Sequence, residues 1–258
     1  MQKMWGVWKL IYPIIGMSGI IPVNMEPRLL SELGLKPDTP VVCQLSNRPE
    51  LTYIIESPLT KLDDLITHIR NIAQDHIIQP LDRTLVFVTT IMNGELIARN
   101  LGCEFYCADT SVYVSKGNRR LMNESTCHRI AAEQCKRIID NWQTGRYRIM
   151  VAMTAFGAGN NYPGVWVVIL ANTPFNMASI VQQFGRAGRD GNQASCYIIP
   201  SKCLLYQPGE QSVDFCEHSA VTEMIWDSTK CIQFLLTKYV DGREATACLE
   251  DTKNMICS

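Results

Sequence analysis

The sequence lacks any segment that is long and apolar enough to cross a bilayer. Its longest apolar run, Leu10–Val23, has 14 residues and is interrupted by two prolines and two glycines, whereas a spanning helix needs about 20 apolar residues. Lys3 and Lys9 precede this run as they would in a signal peptide, but no clean small-residue cleavage site follows. We therefore expect no membrane partner.

The sequence also lacks an excess of charge of one sign. Its 24 Lys and Arg residues nearly balance its 25 Asp and Glu residues, which leaves a net charge of −1. The chain as a whole is therefore not a polyelectrolyte, and only a local basic patch could bind nucleic acid. With 47% hydrophobic and 19% charged residues in 258, a disordered chain is excluded, and one large or two modest domains are expected.

Cysteine is abundant, but the number and spacing of the cysteines do not indicate a disulfide scaffold. The chain has 11 cysteines, an odd number that excludes complete internal pairing, and it contains no Cys-x-x-Cys motif. The first nine are scattered from Cys43 to Cys231, several of them in apolar stretches, where a free cysteine behaves as a small hydrophobe. This usage indicates a reducing, intracellular compartment.

Apolar segments of strand length alternate with amphipathic segments along the chain. This alternation predicts an α/β fold, in which helices cover both faces of a parallel sheet. The predicted strands are Thr39–Leu45, Leu51–Ile55, Arg83–Thr89, Glu104–Ala108, Tyr147–Met153, Trp166–Leu170 and Ser195–Ile199. The predicted helices are 26–34, Lys61–Ile78, Met92–Leu101, Ser125–Thr144, Met177–Phe184 and Val221–Tyr239, the last of them in a small C-terminal appendage that follows a polar link at Gln207–Gln211.

Two glycine-rich segments follow predicted elements. Ligands of open parallel sheets bind beyond the carboxyl ends of the strands. We expect both segments to lie there. The first is Ala155–Pro163, in which Gly157 and Gly159 permit close backbone approach and Asn160 and Asn161 offer donors and acceptors. Taken alone, this segment is a weak signal, because a glycine-rich exit from a strand is more often a simple turn.

The second segment is Gln182-Gln-Phe-Gly-Arg-Ala-Gly-Arg-Asp-Gly191, at the end of a predicted helix. Arg186 and Arg189 are three residues apart, so on a helical end they point in similar directions and suit a triphosphate. A solvated turn in which Arg189 pairs with Asp190 is the alternative. The spacing leaves both interpretations open.

The order of these segments is similar to that of the second RecA-like lobe of superfamily 2 helicases, and within them to a truncated, fungal-type member of the RecQ family. Gln182–Gly191 resembles motif VI, Ala155–Pro163 resembles motif V, and Arg83–Thr90 resembles motif IV. Arg48-Pro49-x-Leu51-x-Tyr53 resembles the pattern on the family's first strand, and 17–22 resembles a degraded motif III. The resemblance extends from about residue 11 to the C-terminus.

The resemblance implies an ATP-dependent 3′-to-5′ DNA helicase with a RecA-like fold, acting on single-stranded or forked DNA in nuclear repair or recombination, as a monomer. ATP with Mg²⁺ would bind between two lobes, and Arg186 and Arg189 would stabilise charge on the γ-phosphate. The implied ATP contacts are Gln182, Gly157, Gly159 and Asn161, and the implied DNA contacts are Thr90, Thr154 and Asn161.

The sequence departs from the family at several points. Ile20 replaces the motif III threonine, and Tyr106-Cys107-Ala108-Asp109 replaces Tyr-His-Ala-Gly. No Gly-x-x-x-x-Gly-Lys-Ser/Thr and no Asp-Glu-x-His occurs, so the phosphate cradle and the magnesium carboxylates are missing. We therefore expect this chain to be inactive alone, and a non-catalytic nucleic-acid-binding or interaction fragment is the alternative. The expected domains are a first-lobe remnant (1–38), the second lobe (39–206) and a truncated zinc subdomain (207–258).

The zinc expectation rests on the last three cysteines. The family has a four-cysteine zinc subdomain after its second lobe, and Cys231, Cys248 and Cys257 would be three ligands of an incomplete Zn²⁺ site whose fourth ligand falls beyond Ser258. Three unrelated buried thiols are the alternative, because no Cys-x-x-Cys is present.

Overall fold

A computed structural model describes residues 15–108, 124–153, 156, 162–174, 176–200, 214–226, 230–242, 245 and 247–248. In these residues the chain forms one six-stranded sheet in which every pairing is parallel, with the strand order β1-β6-β5-β2-β4-β3. The strands are β1 (Leu51–Ile55), β2 (Arg83–Phe87), β3 (Glu104–Tyr106), β4 (Ile149–Ala152), β5 (Val165–Ala171) and β6 (Ala194–Ile199). The predicted parallel sheet is confirmed.

Helices pack on both faces of this sheet, as the alternation predicts. They are α1 (Glu26–Glu32), α2 (Leu62–His76), α3 (Ile91–Leu101), α4 (Glu124–Gln143), α5 (Met177–Phe184), α6 (Asp214–Trp226) and α7 (Ile232–Asp241). Among the described residues, no helix is long and apolar enough to span a membrane.

Two hydrophobic cores lie on opposite faces because neighbouring residues of a strand point in opposite directions. On β5, Val168 and Leu170 pack into the core that α4, α5, α6 and α7 cover. Val167 and Ile169 pack into the other core, which α2 and α3 cover. Each fully buried aliphatic side chain contributes about 2 kcal/mol to stability, so β5, buried along nearly its whole length, is a central element of the fold.

The strand predicted at Thr39–Leu45 is wrong. This segment has no regular secondary structure, and Val42 is 95% exposed. An apolar, β-branched run becomes a strand only where a neighbouring strand offers backbone partners and a packing surface. The sheet ends at β1, which pairs with β6. Ser46, the residue directly after this segment, donates hydrogen bonds to the Asp241 carboxylate.

The single helix predicted at Val221–Tyr239 is also wrong, because the structure has two helices there, α6 and α7. Cys231 is extended (φ −65°, ψ 121°), and its thiol accepts a hydrogen bond from the Phe234 N–H, so that α7 begins as a new, capped helix. The polar run Asp227-Ser228-Thr229 was the signal available in the sequence, since such side chains favour caps and turns over helix interiors.

Both helices of the predicted appendage pack on the lobe itself. Val221 and Met224 of α6 and Ile232 and Leu236 of α7 belong to the same core as Phe184 of α5. The domain boundaries expected from the sequence stay predictions.

A candidate nucleotide site at the amino edge of the sheet

Helix α5 brings the two predicted arginines into position. It begins at Asn176, whose side-chain oxygen accepts from the Ser179 N–H at 2.7 Å, and it ends at Gly185. Ile180 and Phe184 anchor it in the core. Gln182 is exposed at the surface of the helix, whereas its neighbour Gln183 is buried. The predicted ATP contact, Gln182, is therefore accessible to a ligand.

The arginine loop, defined here as residues 185–191, lies at the amino edge of the sheet and not at the expected carboxyl edge. The Gly188 N–H donates to the carbonyl of Val165, the first residue of β5, at 3.1 Å. The expectation is wrong for this segment because α5 leaves the carboxyl end of β5 and must run back across the sheet before β6 can start parallel to it. Whatever follows α5 therefore lies at the opposite edge.

Two glycines of this loop, Gly188 and Gly191, have positive φ, and Gly188 is also closely packed. Gly188 has a φ of +60°, and a Cβ there would lie 3.0 Å from the carbonyl oxygen of Asn192. The Gly191 N–H then donates back to the Gly188 carbonyl at 3.0 Å. Arg186 and Arg189 lie on either side of Gly188 in this tight turn.

Arg48, which precedes β1, forms hydrogen bonds with the backbone of the arginine loop. Its Nη2 donates to the carbonyl oxygens of Ala187 (2.8 Å) and Gly188 (3.2 Å), and its Nε donates to the Glu50 carboxylate. Sequence reasoning placed Arg48 only in a strand pattern and missed this contact. The signal that could have indicated it is the position of Arg48 just before β1, since the start of one parallel strand lies beside the starts of its neighbours.

Burial and neighbouring positive charge lower the pKa of two guanidiniums of this loop, those of Arg186 and Arg189. Burial is the main cause that lowers the pKa of Arg186, and the nearby charge of Arg189 adds to it. Burial likewise lowers the pKa of Arg189, with Arg48 as the second cause, and Arg189 Nε donates to the Gly185 carbonyl at 3.1 Å. Arginine stays charged under such shifts, so the loop concentrates positive charge that a polyanion would relieve. Asp190, the partner expected in the alternative interpretation, accepts from the backbone and side-chain N–H groups of Asn192.

Thr90, the predicted DNA contact, lies at the other edge of the sheet. It follows β2, and its hydroxyl oxygen caps α3 by accepting from the Asn93 N–H at 3.3 Å. The amino ends of α3 and α5 therefore both lie at the carboxyl edge, where their N–H groups suit phosphate oxygens. The remaining predicted contacts, Thr154, Gly157, Gly159 and Asn161, lie outside the described residues.

The structure brings two of the three predicted zinc ligands together. The sulfurs of Cys231 and Cys248 are 3.3 Å apart, and the Cys248 N–H donates to Cys231 Sγ at 3.4 Å. Two thiolates on a tetrahedral zinc are about 3.8 Å apart, given Zn–S bonds of about 2.3 Å, so a small opening would let this pair bind the ion. Cys257 lies outside the described residues, in which no group of three metal-ligating side chains occurs. The zinc site stays a prediction.

The comparison with protein families identifies the lobe. A model described as the helicase conserved C-terminal domain matches residues 61–191, which include α2, the arginine loop and the strands between them. This chain belongs to that family.

Curated relatives of the helicase lobe confirm its resemblance to the RecQ type. This chain is 26% identical over 226 residues to "ATP-dependent DNA helicase Q-like 2" of Arabidopsis thaliana, and the match covers 82% of this chain and 27% of that protein. It is 27% identical over 208 residues to the mouse "Bifunctional 3′-5′ exonuclease/ATP-dependent helicase WRN", covering 73% of this chain and 12% of that protein. The chain thus spans about a quarter or less of the length of these relatives.

Solved structures confirm the RecA-like helicase fold. Dbp5 of Saccharomyces cerevisiae, solved with RNA and ADP BeF3, aligns with a TM-score of 0.55 at 12% identity, covering 87% of this chain and 53% of Dbp5. The helicase Lhr of Mycobacterium smegmatis, solved with ssDNA and AMP-PNP, aligns with a TM-score of 0.51 at 18% identity, covering 82% of this chain and 26% of Lhr.

Proposed function

We propose that this chain supplies the second lobe of an ATP-dependent 3′-to-5′ DNA helicase of RecQ type. The observation that supports the proposal best is the convergence of Arg48, Arg186 and Arg189 on one glycine-containing loop. A group of guanidiniums fixed to a rigid backbone is suited to charge that develops on a phosphoryl group during its transfer.

In this proposal Arg186 and Arg189 stabilise the charge on the γ-phosphate of ATP, and Arg48 holds their loop in place. The exposed side chain of Gln182 contributes a further contact, together with Gly157, Gly159 and Asn161. The guanidiniums of this loop suit phosphate oxygens, and the described residues contain no group of three carboxylate, histidine or thiol side chains. Another lobe would hold the Mg²⁺ and the rest of the nucleotide.

DNA would bind at the carboxyl edge, through Thr90, Thr154 and Asn161. The N-terminal N–H groups of α3 and α5 would receive backbone phosphates there. We propose single-stranded or forked DNA as the substrate, a monomer as the working form, and a nuclear role in DNA repair or recombination. Cys231, Cys248 and Cys257 would supply three ligands of a structural Zn²⁺ site.

The arginine assignment is tested by Arg189→Ala in a polypeptide that joins this lobe to a nucleotide-binding lobe. If Arg189 acts on charge in the transition state, kcat for DNA-stimulated ATP hydrolysis falls about a thousandfold or more, while ATP binding changes little. Arg189→Lys does not rescue the rate, because an ammonium lacks the planar fork of donors. Arg129→Ala, at an exposed position on α4, is the control and keeps the parental rate.

A change confined to KM would contradict this assignment, because it would mean that Arg189 only binds the ground state of ATP. A second candidate function is a non-catalytic nucleic-acid-binding or interaction fragment. The absence of Gly-x-x-x-x-Gly-Lys-Ser/Thr and of Asp-Glu-x-His from all 258 residues favours it.

A further inference from the structure

An open groove lies on the face of the sheet that α2 and α3 cover, at the end where β4 begins. Its volume is about 900 Å³, including the open mouth. One wall is the C-terminal half of α2, the second is the end of α3, and the third is the segment that leads into β4. Its cations are Arg70, Arg146 and Arg148.

The groove carries positive charge that the described residues do not neutralise. Arg70, Arg146 and Arg148 are all exposed, and none of them forms an ion pair with a described carboxylate. No acidic side chain lines the groove. One of the five N–H donors of Arg70 donates to the carbonyl of Asn100, at 3.0 Å. In a chain whose net charge is −1, this is a local concentration of charge of one sign.

An aromatic ring lies between two of these arginines in the sequence. Tyr147 lines the groove, and the guanidinium carbon of Arg146 lies 6.0 Å from the centre of its ring. Guanidiniums bind phosphate through paired N–H donors, and an aromatic face accepts a stacked base. Arginines interleaved with an aromatic ring along an open groove are typical of surfaces that bind single strands.

We propose that this groove binds single-stranded nucleic acid, as a contact separate from the one proposed at the carboxyl edge. The phosphate backbone pairs with Arg70, Arg146 and Arg148, and a base stacks on Tyr147. The groove lies at the start of β4, whereas Thr90 follows the end of β2, so the two proposed contacts lie at opposite edges of the sheet. Binding in this groove requires no ATP hydrolysis and does not depend on the proposed catalytic role.

The test is fluorescence anisotropy of a labelled 20-nucleotide oligothymidylate with the purified 258-residue chain, measured over a range of salt concentrations. Replacing Arg70, Arg146 and Arg148 together by Gln raises Kd at least tenfold at low salt. It also makes the negative slope of the logarithm of the association constant against log salt less steep by about 2, since each of the three lost phosphate contacts on a single strand contributes about 0.7. The control variant replaces the exposed Lys36, Arg129 and Lys136 by Gln, which removes the same charge outside the groove, and it changes Kd less than threefold.

A second variant, Tyr147→Leu, separates stacking from charge. It raises Kd about fivefold or more and leaves the salt slope unchanged, because stacking releases no counterions. Melting curves followed by circular dichroism check that each variant is folded.

The proposal is overturned if the groove variant binds the oligonucleotide as the control variant does, or if the unmodified chain does not bind it. It is also overturned if the groove variant keeps its DNA affinity but loses binding to a labelled polyglutamate peptide, which would make the groove a site for acidic peptides. None of these results bears on the Arg189 rate measurement, so the two proposals fail independently.

Discussion

Arg83 is a charged side chain that is 1% exposed, and carbonyl oxygens surround it. Its guanidinium donates to the carbonyls of Trp142 (2.6 Å), Gln143 (3.0 Å) and Pro80 (2.7 Å). The first two belong to the last turn of α4, where the helix dipole is negative and carbonyls lack partners within the helix. One buried arginine therefore joins the start of β2 to the end of α4. The sequence pattern predicted the strand but not this role.

His76 should make the stability of the lobe depend on pH. Its Nε2 lies 3.0 Å from the hydroxyl of Tyr197, and burial lowers the pKa of the ring, outweighing the opposite effect of Asp75. Since the unfolded chain then binds protons more readily than the folded chain, the free energy of unfolding falls as pH drops through about 6.5 and below.

Urea unfolding at pH 7.5 and pH 5.5 measures this dependence. We expect His76→Gln, which cannot take up a proton, to lose less stability between the two values than the parent chain. Equal losses in the two proteins would show that His76 is not the group responsible.

At the scale of elements, α7 contacts the two residues that precede Arg48, the residue that contacts the arginine loop. Its Asp241 accepts from the backbone and hydroxyl of Ser46, and its Gln233 donates to Asn47. Arg48, the next residue, holds the arginine loop. The cap of α7 is the Cys231 thiol, so the same residue begins the helix and lies beside Cys248.

The zinc prediction belongs to this element. With the three predicted thiolates, the 258-residue chain should bind Zn²⁺ weakly and lose it to EDTA, because structural zinc requires four ligands. Extending the chain so that a cysteine stands at the third position after Cys257 should restore one tightly bound zinc per chain, measured by metal analysis after treatment with a chelator.

Two substitutions in the extended chain make this measurement specific. Cys231→Ser should abolish tight zinc binding while keeping α7 capped, because serine is a good N-cap residue. Cys43→Ser, at an exposed thiol, should have no effect. If the native chain already retains one zinc per molecule against EDTA, the three-ligand site is wrong.

At the scale of the whole molecule, the parallel sheet separates two functions. The arginine loop lies at the amino edge, and Thr90 lies at the carboxyl edge, so the two are separated by about the length of β5, roughly 20 Å at 3.3 Å per residue. In our proposal, the arginine loop therefore meets the nucleotide at one edge and Thr90 meets DNA at the other. Asn161, proposed to contact both ligands, belongs to the segment of the chain that connects β4 to β5.

The isolated 258-residue chain should not hydrolyse ATP. A triphosphate that meets only the arginine loop lacks the backbone cradle, the P-loop lysine and the magnesium ligands together. Release of phosphate, measured with single-stranded DNA and Mg²⁺, should stay at the level of a sample without protein. Turnover that DNA stimulates, that EDTA abolishes and that Arg189→Ala removes would contradict this prediction.

Local patterns in the sequence were sufficient for the fold and the family. Buried strands such as Val165–Ala171 are continuous apolar runs, and helices such as Leu62–His76 repeat apolar residues every three or four positions, so neighbouring residues alone indicate them. The run from Gln182 to Gly191 predicted Arg186 and Arg189 on the end of a helix, with a solvated turn as the alternative. The helix ends at Phe184, so both arginines lie in the turn that follows it, where Gly188 has a positive φ.

Tertiary structure alone decided where these elements meet. The amino-edge position of the arginine loop follows from the return path of α5, and Arg48 reaches that loop across more than 130 residues of sequence. The segment Thr39–Leu45 has the composition of a strand but no partner strand, and the groove forms because α2, α3 and the start of β4 end side by side. Such contacts depend on the positions of distant backbone segments, which a local pattern does not specify. The sequence therefore determined most elements, apart from the segment Thr39–Leu45 and the break between α6 and α7, and the structure determined the sites between them.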